Sequence, residues 1–330
     1  MTAERIVVLG SNCFTGVHFI KACLGEGAQV LGVNRSPEPH SILMPHRTME
    51  TGHYRFAQLD INKDMAEILR QINDLKPDYV VNFAAQGMVG QSWQAPVDWF
   101  RTNTLAMVEL HEGLRKNTYM KRYLHCSTPE VYGNCSGLVS EDTAFAPSSP
   151  YAVSKAAADM SLLSFFRAYR FPVVFTRAAN VYGPCQQLYR IIPRSIIYFL
   201  TGRILELHGG GHAVRSFIHI EDVVRGTLAV LRRGRLGAAY HLATDRNISI
   251  RDLVRLIAAE VGIAFEDCVK VVADRLGKDD AYLLNTQKAQ SELGWTPQIS
   301  LEEGLKSCVM WVRAHIETIE TLPLEYQHKQ

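Results

Sequence analysis

The segment Arg5-Ile6-Val7-Val8-Leu9-Gly10-Ser11-Asn12-Cys13-Phe14-Thr15-Gly16 decides the fold. Its apolar run Ile6 to Leu9 reads as a strand buried on both faces, and the pattern that follows is helical. Gly10 permits a tight turn off the strand, and Gly16 lets the next helix pack closely while its first N–H groups face an anion such as a pyrophosphate. A dinucleotide-binding loop ordinarily carries a further, middle glycine, but here Cys13 stands in its place. A side chain this small is tolerated at the helix start if it points away from the phosphates. The helix is expected to end at Gly25-Glu26-Gly27 and to lead into Gln29 to Val33, so one βαβ unit is complete by Arg35.

The same rhythm continues outward from that unit. Arg5 to Gly10, Gln29 to Asn34, Arg55 to Ile61, Asp78 to Ala85 and Arg122 to Ser127 read as strands separated by helix-length sequence. Near-continuous apolar strands between helices predict an α/β, doubly wound parallel sheet covered on both faces. Helices Val97 to Lys116 and Tyr151 to Arg170 are apolar over more of their circumference than one sheet requires. They are read as a dimer face across a two-fold axis, with a thicker monomer core as the alternative. Past residue 184 the rhythm becomes less regular, with helices at Arg190 to Leu200, Glu221 to Arg232, Ile250 to Val261 and Leu301 to His315. The expected division is 1–184 for the cofactor and 185–330 for a smaller α/β substrate lobe, from which some strands and helices return to the first domain.

Composition narrows the function classes. A formal net charge of +2 from 35 basic and 33 acidic residues gives no support to a nucleic-acid or membrane partner. The cysteines are seven, without a CxxC pair or a His/Cys cluster, which argues against a disulfide framework or a metal site. No apolar run approaches the roughly 18 residues of a membrane span, and no signal peptide precedes the first strand. A cytoplasmic protein with reduced thiols is expected.

Chemistry concentrates in two stretches. Tyr151-Ala-Val-Ser-Lys155 places both reactive side chains on one helix face, and among 13 tyrosines only Tyr151 has a lysine four residues on. Beside a nicotinamide cofactor, the Lys155 ammonium can hold the ribose and favour the Tyr151 phenolate, which then serves as base for a hydroxyl that loses hydride. Ser148-Ser149-Pro150 suits the start of that helix. Cys126-Ser127-Thr128-Pro129-Glu130 ends the fifth strand, where Thr128 can hydrogen-bond the reacting oxygen and Glu130 can abstract a proton. After the second strand stands Asn34-Arg35-Ser36; without a carboxylate for the ribose hydroxyls, this favours NADP over NAD.

With these residues in view, the chain resembles the extended short-chain dehydrogenases/reductases of the epimerase/dehydratase family, and most of all the nucleotide-sugar 4,6-dehydratases acting on dTDP-glucose or GDP-mannose. The resemblance covers nearly the whole chain. It rests on the glycine loop, Asp60-Ile61, Asn82-Phe83-Ala84-Ala85-Gln86, Ser127 to Gly133, Ser149 to Lys155, Arg177-Ala-Ala-Asn180-Val-Tyr-Gly-Pro184 and Arg215-Ser-Phe-Ile-His-Ile-Glu-Asp222. It implies a Rossmann sheet and a tightly held NAD(P) that is recycled. The implied cofactor residues are Gly10, Asn12, Cys13, Phe14, Thr15, Gly16, Asn34, Arg35, Ser36, Asp60, Ile61, Phe83, Ala84, Ala85, Gln86, Asn103, Ser127, Tyr151 and Lys155. Gln86 and Thr128 would also meet the sugar, and Asn180, Arg190, Arg215 and Arg275 the nucleotide diphosphate.

The implied chemistry explains the glutamate. Tyr151 would take the C4 hydroxyl proton while hydride passes to the cofactor, and the new ketone acidifies C5–H for removal by Glu130. Water leaves from C6 and the stored hydride returns there. A homodimer or tetramer is the implied assembly. One departure stands out: dTDP-glucose dehydratases carry an aspartate before the glutamate to protonate the leaving hydroxyl, and proline occupies position 129 here. The resemblance therefore tilts toward GDP-mannose dehydratases, in which the glutamate serves both steps and which Ala85-Gln86 and His219 also match, yet Gly87 replaces their usual serine, and Arg275 to Asp279 resembles the dTDP type. A 4-epimerase or 4-ketoreductase is the nearest alternative, having no use for Glu130, and a cofactor-binding regulator without turnover is a more distant one.

Overall fold

The computed structural model describes residues 3–49, 52–135, 137–273 and 283–328. Seven strands form the central sheet: Arg5–Leu9 (β1), Gln29–Asn34 (β2), Tyr54–Gln58 (β3), Tyr79–Asn82 (β4), Arg122–Cys126 (β5), Val173–Ala178 (β6) and Ala239–Leu242 (β7). Their order is β7-β6-β5-β4-β1-β2-β3, with every neighbouring pair parallel. The chain winds one way from β1 to β3 and then crosses back to β4, so the loops leaving β1 and β4 diverge and open a crevice at the carboxyl edge.

Alternation along β1 explains why both faces are covered. Ile6 and Val8 point into one core, with helices Phe14–Gly25 (α1) and Ile220–Arg233 (α6); Val7 and Leu9 point into the other, with Met65–Leu75 (α2), Ala106–Leu114 (α3) and Pro150–Tyr169 (α4). All four β1 side chains are fully buried. A third core joins Ile191–Leu200 (α5), Ile250–Val261 (α7) and Leu301–Ile319 (α8) beside a small sheet of Asn180–Tyr182, Val214–His219 and Asn247–Ser249. The seventh strand of the main sheet comes from beyond residue 184, so the later part of the chain completes the first sheet while building the lobe.

Several elements differ from the sequence reading for local reasons. Strand β4 ends at Asn82 instead of reaching Ala85, because the Asn82 carboxamide accepts from Ala84 N at 3.0 Å and turns the chain off the ladder. Strand β3 stops at Gln58 instead of Ile61, where Asp60 caps the next turn by accepting from Asn62 N at 2.9 Å. The helix expected over Val97 to Lys116 is three pieces: Pro96–Phe100, a π-type turn over Arg101–Leu105, and α3. The wider turn sends Asn103 and Thr104 inward, where Thr104 Oγ1 donates to Ser154 O at 2.9 Å. Arg190 caps α5 and is not its first residue, and α8 runs to Ile319 instead of stopping at His315. Among the described residues, no helix is long and apolar enough to cross a membrane.

Candidate active site

The glycine loop is held by steric necessity. Gly10 has φ +77°, its N–H donates to Val33 O at 2.8 Å, and a Cβ there would lie 2.5 Å from Ala84 N. At Gly16 a Cβ would lie 2.6 Å from Gly10 O. Cys13 is the N-cap of α1, and its sulfur accepts from Gly16 N at 3.2 Å. Burial pushes the thiol up to about 12, so it stays protonated. The cysteine therefore acts as a neutral helix cap turned into the loop, a role its sequence position alone did not disclose.

Beside this loop runs a groove of about 90 Å³ lined by Gly10, Cys13, Asn34, Arg35, Asp60, Ile61, Phe83, Ala84 and Ala85. All nine were singled out from sequence; Val33, Leu59, Asn62 and Thr102, which also line it, were not. The glycine cradle at one end and the polar β2 and β3 exits at the other fit a dinucleotide. Asn12 Nδ2 donates to Ser36 O at 3.1 Å and so ties the glycine loop to the β2 exit. Phe14 is buried on α1 with its ring edge-on to His18, and Thr15 is half-buried beside it. Asn103 clamps the next loop, accepting from Gln86 N at 2.8 Å and donating to Gln86 O and Ser154 Oγ, both at 3.0 Å. The β4 exit is thereby fastened to α4 one residue before Lys155.

Ser149 caps α4 by accepting from Ala152 N at 3.2 Å, with Pro150 in the first turn. Tyr151 is half-buried, whereas Lys155 is 2% exposed and donates from Nζ to Cys126 O at 2.8 Å, with His125 Nε2 at 3.3 Å. Burial lowers the Lys155 pKa and drives that of His125 well below its usual value, so His125 is neutral and accepts from the ammonium. One helical turn after Lys155, the fully buried Asp159 accepts from Ser127 Oγ at 2.6 Å and Arg177 Nη2 at 2.8 Å. Arg177 in turn donates to the Tyr132 hydroxyl at 2.6 Å, which lies 2.8 Å from His241 Nε2. His125, Asp159 and His241 escaped the sequence reading; the i, i+4 spacing of Lys155 and Asp159 was the available signal.

Thr128 and Glu130 sit where β5 leaves the sheet. The Thr128 hydroxyl accepts from Glu130 N at 3.4 Å and starts the short turn Pro129–Tyr132, in which Pro129 is buried and Glu130 half-buried. Asn180 and Arg215 lie on adjoining strands of the lobe sheet; Asn180 Nδ2 donates to Ser216 O at 3.1 Å, and Arg215 Nη1 to Val214 O at 2.8 Å. Arg190 is exposed at the start of α5, over the Tyr189 ring. Arg275 and the rest of 275–279 lie outside the described residues.

A parallel sheet with a dinucleotide groove at its switch point, and a Tyr/Lys pair one strand away, define an NAD(P)-dependent enzyme of the extended short-chain dehydrogenase/reductase class. The sequence model of the GDP-mannose 4,6 dehydratase family matches residues 7–308. The dTDP-glucose 4,6-dehydratase of Streptomyces niveus is 32% identical over 317 residues, which cover 94% of this chain and 93% of the relative. DesIV, the dTDP-glucose 4,6-dehydratase of Streptomyces venezuelae solved with NAD, has a TM-score of 0.88 and 31% identity over 96% of this chain and 98% of its own. A UDP-glucose 4-epimerase of Thermotoga maritima solved with UDP-glucose reaches a TM-score of 0.87 at 27% identity, over 95% of this chain and 100% of its own. The chain belongs to the nucleotide-sugar 4,6-dehydratase family.

Proposed function

We propose that this dehydratase takes a nucleoside-diphosphate hexose, with dTDP-glucose the first candidate, and that Thr128, Glu130, Tyr151 and Lys155 carry the reaction. The observation that carries this reading is a glutamate at the β5 exit, on the turn that Thr128 begins, in a chain whose α4 holds the Tyr/Lys pair. Tyr151 removes the C4 hydroxyl proton, while Thr128 hydrogen-bonds the same oxygen. Lys155, held by Cys126 O and His125, keeps positive charge near the phenolate. When bound, the nicotinamide ring stores the C4 hydride and gives it back at C6. Glu130 takes the C5 proton and, with Pro129 unable to donate one, protonates the departing C6 hydroxyl. Asn180, Arg190, Arg215 and Arg275 are assigned to the nucleotide diphosphate, with 1–184 serving the cofactor and 185–330 mainly the sugar nucleotide.

NAD is the proposed cofactor. The lack of a carboxylate after β2 favoured NADP, but DesIV and other solved relatives carry NAD, which outweighs that signal. In the orientation that satisfies its neighbours, the Asn34 carboxamide oxygen accepts from Ser36 N and Arg35 N, which fixes this side chain at the groove lining. Seven free thiols suit a reducing, cytoplasmic setting. An isologous dimer, or a tetramer built from it, is inferred from Val97, Leu105 and Met160, which are 63%, 65% and 62% exposed on packed segments.

Mass spectrometry on a panel of nucleoside-diphosphate hexoses is expected to show loss of one water, and Glu130→Gln to abolish it. Conversion without a mass change would replace the reading with epimerisation.

A further inference from the structure

The segment after α8 does not stay with the lobe that α8 belongs to. Leu322 and Leu324 pack on the lobe core, and Glu325 accepts from Arg194 of α5 at 2.7 Å. Three residues on, the chain has crossed to the cofactor domain. His328 Nε2 lies 3.0 Å from Asp98 Oδ2, and its ring stacks on Trp99 at 5.2 Å with an interplanar angle of 11°. Between these anchors Tyr326 lies edge-on to Tyr189 at 5.4 Å, with its hydroxyl 3.4 Å from His328 Nδ1.

One element of the dinucleotide groove carries the anchor of this segment. Arg35 lines the groove at the β2 exit, and its charge, like that of Arg190 from the lobe, opposes the rise in the Tyr326 pKa that burial causes. Thr102 lines the groove and follows Trp99 by three residues, on the π-type turn that continues Pro96–Phe100. The platform on which His328 sits thus runs directly into the groove lining at Thr102.

We propose that residues 324–328 form a strap over the adenosine end of the groove, and that Tyr326 and His328 hold it shut and slow the escape of the dinucleotide. An enzyme that returns hydride to its own product gains from a cofactor that stays through many turnovers, and two aromatic contacts, Tyr326 on Tyr189 of the lobe and His328 on Trp99, supply such a closure. The inference rests on the groove being the dinucleotide site.

The test is release of NADH, followed by fluorescence after mixing the charged enzyme with excess NAD, in the full chain and in three variants. Tyr326→Ala/His328→Ala is expected to release NADH about tenfold faster, the scale of losing a ring stack and a hydrogen bond. His328→Phe, which preserves the stack on Trp99, is expected to stay within about twofold of the parent. Deletion of 326–330, which leaves Leu324 and Glu325 in place, is expected to match the double alanine variant, while the nucleotide-free unfolding temperature of all three stays near that of the parent. Release unchanged in the double variant and the deletion, or equally fast in His328→Phe and the double variant, overturns the strap. Failure of the unaltered chain to bind NADH or NADPH at all would instead overturn the reading of the groove.

Discussion

Replacing Asp159 with Asn tests whether the buried charges under Lys155 are one unit. Asp159 is fully buried and Arg177 3% exposed, with 2.8 Å between Oδ2 and Nη2. An asparagine keeps the volume but leaves the guanidinium charge uncompensated, a change that costs about 3–5 kcal/mol when a buried pair is broken. With 330 residues and about 2.1 cal/mol/K of unfolding entropy per residue, the whole chain has about 700 cal/mol/K, so the expected fall in Tm is about 4–7 °C. Calorimetry on the NAD-saturated enzyme measures it. Asp159→Leu/Arg177→Met, which removes both charges, is expected to recover much of the loss. The same substitution has a functional signature, because Asp159 partly offsets the burial that lowers the Lys155 pKa. Without it the ammonium loses its proton at lower pH, and the alkaline limb of activity moves down. A Tm change below about 2 °C, or a double variant as unstable as the sum of its parts, would refute the reasoning.

Three further outcomes are expected. Cys13→Ser and Cys13→Gly should both retain the cofactor, the glycine variant losing no more than about 0.5 kcal/mol of stability because only a weak sulfur cap goes; loss of binding would give the thiol another role. Desolvation lowers the pKa values of half-buried His18 and buried His46 to about 4, and those of buried His111 and His241 to about 3. Below about pH 6.5 the unfolded chain takes up protons that these folded residues refuse, so their stabilisation is complete above that pH and lost as it falls toward 4, by up to about 1.4 kcal/mol per unit for each histidine; a urea midpoint constant from pH 7 to 5 would contradict this. Met160→Arg with Leu105→Arg is expected to give a monomer by light scattering, and a parent chain already monomeric would remove the dimer.

The parallel sheet, the glycine loop and the Tyr151/Lys155 spacing were legible in the sequence because each follows from local rules. Apolar runs alternating with helical patterns demand a covered parallel sheet, a turn off a buried strand demands Gly10, and four residues of helix align two side chains. Legibility ended where partners are distant in the chain. Asn103 could be named as a cofactor residue, but not that a π-type turn aims it at Gln86. Asp159 read as an ordinary polar position on a helix; only the packing of β5 and β6 against α4 brings Ser127 and Arg177 to its carboxylate. The departures of β3 and β4 from their expected ends came from Asp60 and Asn82 caps, which compete with the ladder by a single local hydrogen bond.

Sequence by itself therefore determined the parallel sheet, the glycine loop and the Tyr151/Lys155 spacing, since periodicity and short motifs encode interactions within a turn or a strand. Tertiary structure alone decided that Cys13 is a neutral helix cap, that Lys155 rests on His125, and that residues 324–328 cross from the lobe to Trp99. Those contacts join residues up to 230 positions apart, and no local pattern records which buried donor will meet which acceptor once the helices close on the sheet.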